Sequence, residues 1–179
     1  VNSNLGQKKK LLDALIESSH SFKDFTIYTS CEATGLQAEY IRFGLVWDVW
    51  LKNMYRVNEE ANVKSVNVMM TINSLCLFSI TEFMDEMLKL KKRFGYQAAV
   101  MSFNILRFPS FQSIVTLPEE IRLERAAAME AWLEKNWNGG RNGFIDIERD
   151  GLLRLIEYTK SVQKGHEFTS SLDSRLRDF

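Results

Sequence analysis

Apolar and polar positions alternate along this chain with two different periods. Leu11, Leu12, Leu15 and Ile16 fall on one stripe with a helical spacing, which predicts a helix over 4–19 with Ser3 placed to cap it. Residues 25–31, FTIYTSC, are aromatic and β-branched and predict a strand. A helical stretch over 36–43 ends at Gly44. An amphipathic helix over 46–58 follows, with Trp47, Trp50, Leu51 and Met54 on one face. In residues 65–72, Val66, Val68, Met70 and Ile72 alternate with Asn67, Met69 and Thr71. Few of these are strongly polar, which predicts a strand covered on both faces, as in a parallel sheet.

The same reasoning carries on to the end. Asn73 to Phe78 is a loop, and Ser79-Ile80-Thr81-Glu82 has the form of a capping box. The helix behind it runs to about Phe94 with Ile80, Phe83, Met84, Met87 and Leu88 inward, and Gly95 stops it. Residues 98–106 form a third strand, and 107–114 an irregular loop holding Pro109. Thr116 to Glu119 is a second capping box, with Pro118 in the first turn of a helix reaching about Trp137. Gly139 and Gly140 end it. Asp146 is placed to cap a last helix over 147–162 with Leu152, Leu155, Ile156 and Thr159 on one side, and a polar tail runs from Gly165 to Phe179.

Strand-then-helix units in series predict an α/β protein with a parallel sheet and right-handed crossovers. The chain reads as one domain, an α-(βα)3 half-barrel over 1–138 and a helical extension over 139–179. Three strands leave open sheet edges, which are expected to pair between two copies. The 23 basic and 23 acidic residues balance, and no block of either sign stands out. Neither nucleic acid nor an anionic membrane is therefore an expected partner. No apolar run is long enough to span a bilayer, and no leader-like segment opens the chain. Two cysteines in 179 residues fit a reduced, cytoplasmic protein.

Little of the chemistry has a sharp motif. Cys31 and Cys76 both follow strands and read as packed thiols, with a disulfide or a metal pair as the alternative. His20 and His166 have no ligand-spaced partners. Asn138 to Arg149 imitates a calcium loop, but its twelfth position is Arg149 and its first is not Asp, so it reads as a Gly-rich turn before a helix cap. Trp47, Trp50, Trp132 and Trp137 have core spacing. No phosphate loop or nucleophile elbow is present.

The wording of 25–53 is more specific. Tyr28-Thr29-Ser30-Cys31-Glu32-Ala33, then Gln37-Ala38-Glu39-Tyr40-Ile41-Arg42, then Gly44, Trp47, Leu51 and Asn53 resemble the fourth strand-and-helix unit of a radical S-adenosylmethionine barrel. The twitch-domain proteins are the subgroup it is most similar to. The resemblance implies the second half of a six-unit partial TIM-type barrel. In the parent protein it implies S-adenosylmethionine and a 4Fe-4S cluster, reductive cleavage of that cofactor, and hydrogen abstraction from a substrate. It also implies that Ser30 lies near the cofactor ribose, that Arg42 faces its methionine carboxylate, and that Asn73 faces the ligand. Leu106 and Arg107 would approach the adenine. Glu32 belongs to the same set, where Asp is the commoner residue. The other reading makes Ser30 and Asn73 turn residues and pairs Arg42 with Glu39 or Asp48. The three cluster cysteines, Cys-x-x-x-Cys-x-x-Cys, are missing. The chain is thus expected to be a fragment that binds neither cofactor alone and needs the N-terminal half-barrel, or a second copy as a homodimer. The alternative is a standalone α/β interaction or dimerisation module.

Overall fold

The computed structural model describes residues 1–6 and 9–161. The tail from Gly165, His166 and the last residue expected in the final helix lie outside the described residues. Three strands, β1 (Thr26–Ser30), β2 (Ser65–Ile72) and β3 (Val100–Ile105), form one sheet in the order β1-β2-β3. Both pairs are parallel, with Ser30 opposite Met69 and Met69 opposite Ser102. Helices α1 (Lys9–Ser19) and α2 (Gly35–Ile41) flank β1. Helices α3 (Trp47–Glu60) and α4 (Ile80–Phe94) lead into β2 and β3, and α5 (Glu119–Asn136) and α6 (Asp146–Lys160) follow.

One face of the sheet carries the core. Ile27 and Thr29, then Val66, Val68, Met70 and Ile72, then Met101 and Phe103 are buried under the helices. Trp50 of α3 is fully buried, stacks on Trp47, lies tilted against Phe83, and donates its Nε1–H to Thr29 Oγ1 at 3.0 Å. Trp132 packs edge-on against Phe144 and donates to Asp85 Oδ1 at 2.8 Å. Aromatic rings supply much apolar area per residue, and their polar N–H groups stay bonded when buried. Helix α6 closes on the same face, where Gly151 meets Phe103: a Cβ there would stand 3.0 Å from the ring.

The opposite face is different from the expectation. Tyr28, Met69, Thr71 and Asn104 are exposed, and Ser30, Asn67 and Ser102 are half-buried. β2 is therefore covered on one face, not two. Its alternation was the signal, and Met69 among Asn67 and Thr71 blurred it.

The chain's first residues also differ from the expectation. Residues 2–6 are not helical, and Ser3 does not cap α1. Asn2 bridges Tyr28 in parallel. Tyr28 N–H donates to Val1 O at 2.9 Å, and Ser3 N–H donates to Tyr28 O at 2.8 Å. Val1–Ser3 thus lie along β1 as a short extended segment that makes one parallel bridge outside the three-stranded sheet, with α1 between the two in sequence. Leu11, expected inward, is 61% exposed, while Leu12 and Ile16 are buried. Asn53 of α3 anchors the turn after this extended segment by donating to Leu5 O at 2.7 Å. Asn53→Leu leaves that buried carbonyl unpaired, and about 1–2 kcal/mol of stability should be lost. Faster hydrogen exchange at the Tyr28 amide checks the placement, and an unchanged rate would contradict it.

Each of the open sheet edges is partly occupied. Val1–Ser3 line the β1 edge, and Met101 N–H of β3 donates to Glu148 Oε1 of α6 at 2.7 Å. The helix starts also depart from the expected caps. Ser79 holds the cap position of α4, but its hydroxyl accepts from Thr34 N at 3.2 Å. Thr116 donates to Ser113 O instead of capping α5, whose cap position is Pro118. Asp146 is the first residue of α6, and Glu148 takes the Ile145 N–H at 2.9 Å. Gly95 ends α4 as expected, at φ 97°, where a glycine meets no steric penalty.

Candidate functional site

A parallel sheet sends the ends of all its strands to one rim, so residues far apart in sequence meet there. Ser30, Cys31 and Glu32 end β1. Asn73 follows β2, and Leu106 and Arg107 follow β3. Arg42 comes from the end of α2, where the backbone leaves the helix and its N–H still donates to Ala38 O.

The tightest contact at this rim joins Arg42 and Glu32. Arg42 Nη2 lies 2.5 Å and Nε 3.0 Å from Glu32 Oε2. Arg42 therefore pairs with neither Glu39 nor Asp48. Glu39 instead accepts the Trp47 N–H at 2.9 Å and starts α3. The Glu32 side chain is 2% exposed and that of Arg42 27%, so the pair is sealed on one side and wet on the other. Thr71 N–H approaches Glu32 Oε2 at 3.5 Å, which sets the carboxylate against β2. Burial pushes the Glu32 carboxyl above its usual range, and the Arg42 guanidinium pulls the other way without overcoming it. Arg42 spends Nε and Nη2 on Glu32 and keeps Nη1 free to receive a ligand.

The other sequence-derived candidates divide. Ser30 sits on the open face of β1 and makes no side-chain hydrogen bond to another described residue. Asn73 is committed to its turn: its Oδ1 accepts from Leu75 N at 2.9 Å and Cys76 N at 3.1 Å. Its amide nitrogen reaches only Thr71 O, at 3.5 Å. Arg107 is exposed and its guanidinium lies over the Tyr158 ring of α6, 5.9 Å from the centroid. The rim thus brings Glu32 and Arg42 into contact, with Ser30 two residues before Glu32 at the end of β1, while Arg107 leans on α6.

Cys31 and Cys76 are free and buried at this rim. Burial pushes the Cys31 thiol up to about 12 and raises Cys76 as well. A thiol held protonated is a poor nucleophile. Among the described residues no group of three His, Cys, Asp or Glu side chains is placed to hold a metal ion. No described helix is long and apolar enough to cross a membrane.

Sequence reasoning missed the polar side chains on the open face, namely Asn67, Thr71, Ser102 and Asn104. Their period of two was legible, but their exposure follows from which side the helices take. The chain matches no protein-family model, no curated protein and no solved structure.

Proposed function

We propose that this chain is one wall of a partial (β/α) barrel of the radical S-adenosylmethionine type, the half that holds the cofactor's amino-acid and ribose groups. The observation that supports it best is the bare, polar face of the sheet. Parallel sheets are ordinarily covered on both faces. A barrel wall is the common exception, with helices outside and an interior lined by alternate residues of each strand. The parallel placement of Val1–Ser3 beside β1 continues the direction of the same wall by one bridge.

Within that reading the residues have separate tasks. Arg42 Nη1 receives the cofactor's methionine carboxylate, and Glu32 holds the guanidinium in one orientation for it. Ser30 Oγ bonds a ribose hydroxyl. Leu106 lies toward the adenine, Arg107 would have to leave the Tyr158 ring to reach it, and the Asn73 nitrogen is left for a minor contact. When bound with its cluster, S-adenosylmethionine would supply a radical. This chain's residues bind and orient it, and the cluster ligands belong to the N-terminal half-barrel or to another chain.

Titration with S-adenosylmethionine tests this. A ligand at ten times its Kd adds about 1.4 kcal/mol of stability. For a domain of this size that is a rise in Tm of about 3–6 °C. Arg42→Ala and Ser30→Ala should each shrink the rise, measured against their own ligand-free Tm. An equal rise in Arg42→Ala would end the assignment, and no rise at millimolar cofactor would mean that this half does not hold it without the cluster-bearing half.

A further inference from the structure

We propose that the cleft between the end of α4 and the Gly-rich turn before α6 binds a small phosphomonoester, its phosphate held by Lys92 and Arg141. The site stands apart from the barrel reading. Helix α4 leaves the rim after β2 and ends just before β3 begins, so the cleft lies at the opposite end of the sheet from Arg42.

The turn is held rigidly. Asn142 Nδ2 donates to Asn136 O at 2.7 Å, and Asn142 Oδ1 accepts the Phe144 N–H at 3.1 Å. The Asn142 N–H donates to Asn138 Oδ1 at 3.2 Å. Gly143, at φ 88°, presses the turn onto α4, where a Cβ would stand 3.1 Å from Lys91 Cβ and 3.5 Å from Tyr96 Cα. The Lys91 ammonium ties the Gly143 carbonyl down at 2.9 Å. Between this turn and the flank of α4 lies a cleft of about 780 Å³. Small-molecule sites usually measure about 300–1,000 Å³.

Charge sets the class of ligand. Four cations line the cleft, and two are already matched, Lys91 by Glu148 and Lys89 by Glu86. Lys92 on α4 and Arg141 in the turn have no ion-pair partner among the described residues, in a chain whose charges otherwise balance. The one acid in the lining, Asp85, accepts the Trp132 Nε1–H at 2.8 Å. The two unmatched cations outnumber it, so the cleft favours an anion. A guanidinium fork and an ammonium on opposite walls suit the several oxygens of a phosphate dianion. Leu88 and Ile145 are half-buried, and Tyr96 is 48% exposed with its hydroxyl bonded to no described residue. They add an apolar wall and a further donor, which favours a phosphate carried on a ring over the bare ion.

Phenyl phosphate is the probe, in the full 179-residue chain at low ionic strength. The backbone amide resonances of Gly95, Tyr96, Gly140, Arg141 and Gly143 should shift saturably. Lys92→Gln and Arg141→Gln, both at exposed positions, should each weaken binding about tenfold. Lys23→Gln, an exposed charge before β1, should leave it unchanged. Benzyl alcohol keeps the ring without the charge and should not bind, and inorganic phosphate should bind more weakly than phenyl phosphate. Absence of saturable shifts here, shifts spread over exposed lysines at large, equal affinity for inorganic phosphate, or affinity that survives both Gln substitutions would each overturn the proposal. The cofactor titration does not bear on this outcome, because the two sites share no residue.

Discussion

Lys91→Met should lower the unfolding free energy by about 3–5 kcal/mol, the cost of leaving one member of a buried ion pair without its partner. The Lys91 and Glu148 side chains are both 0% exposed. Lys91 Nζ lies 2.6 and 2.7 Å from the two carboxylate oxygens and 2.9 Å from Gly143 O. Glu148 also accepts from Met101 N at 2.7 Å and Ile145 N at 2.9 Å. One carboxylate therefore joins the edge of β3, the start of α6, the Gly-rich turn and α4. Burial lowers the Lys91 pKa, and Glu148 opposes that shift. In Lys91→Met the carboxylate keeps two backbone donors and loses the cation. The double variant with Glu148→Leu should recover little, because two N–H groups and the Gly143 carbonyl are then left dry. Urea unfolding checks this. A loss below about 1 kcal/mol for Lys91→Met would show that water reaches the pair.

That network shows where the sequence stops being readable. Lys91 looks like one of three basic residues ending α4, which suits the helix dipole without any burial. Glu148 looks like an ordinary first-turn acid. Their meeting depends on how α6 folds back over β3, across 57 residues, and no local pattern encodes that. The strands were legible for the opposite reason. Their apolar alternation is local, and β2 is found at the bounds its residues implied. The tryptophans were legible too, since Trp47, Trp50 and Trp132 are buried where helical spacing put them.

The helix caps were less legible. Ser79 and Thr116 have the right type and place, but their hydroxyls serve Thr34 and Ser113. A capping motif offers one use of a hydroxyl, and tertiary neighbours offer another. The candidate site falls between these cases. A parallel sheet puts all its strand ends on one rim, so strand assignment alone gathers Ser30, Glu32, Asn73 and Arg107. The partner of Arg42 was not available from spacing: Glu39 and Asp48 are nearer in sequence, but Glu32 is the one on the rim.

Arg42→Leu should be pH-dependent in an unusual direction. Glu32 is already easier to protonate folded than unfolded, because burial outweighs Arg42. Removing Arg42 deletes an opposing cause, so the folded pKa rises further. An acid with a raised folded pKa favours the folded state at low pH. That stability is lost as pH climbs from the ordinary carboxylate value through the raised one. The variant should therefore fall furthest below wild type near neutral pH, by about 2–3 kcal/mol, less than a fully sealed pair because Arg42 is partly wet. Near pH 5 the deficit should narrow. Asp13 and Glu60, whose carboxyls are lowered chiefly by hydrogen bonds from Lys9 and Arg56 respectively, push the opposite way. Differences between variant and wild type cancel that background. Adding Glu32→Gln to Arg42→Leu should remove the pH dependence and return most of the lost stability, since no buried charge is then left unpaired. The same double variant should still bind S-adenosylmethionine poorly, because the guanidinium is gone. A deficit equal at pH 5 and pH 8, untouched by Glu32→Gln, would mean that Arg42 acts through packing and that Glu32 does not hold it for a ligand.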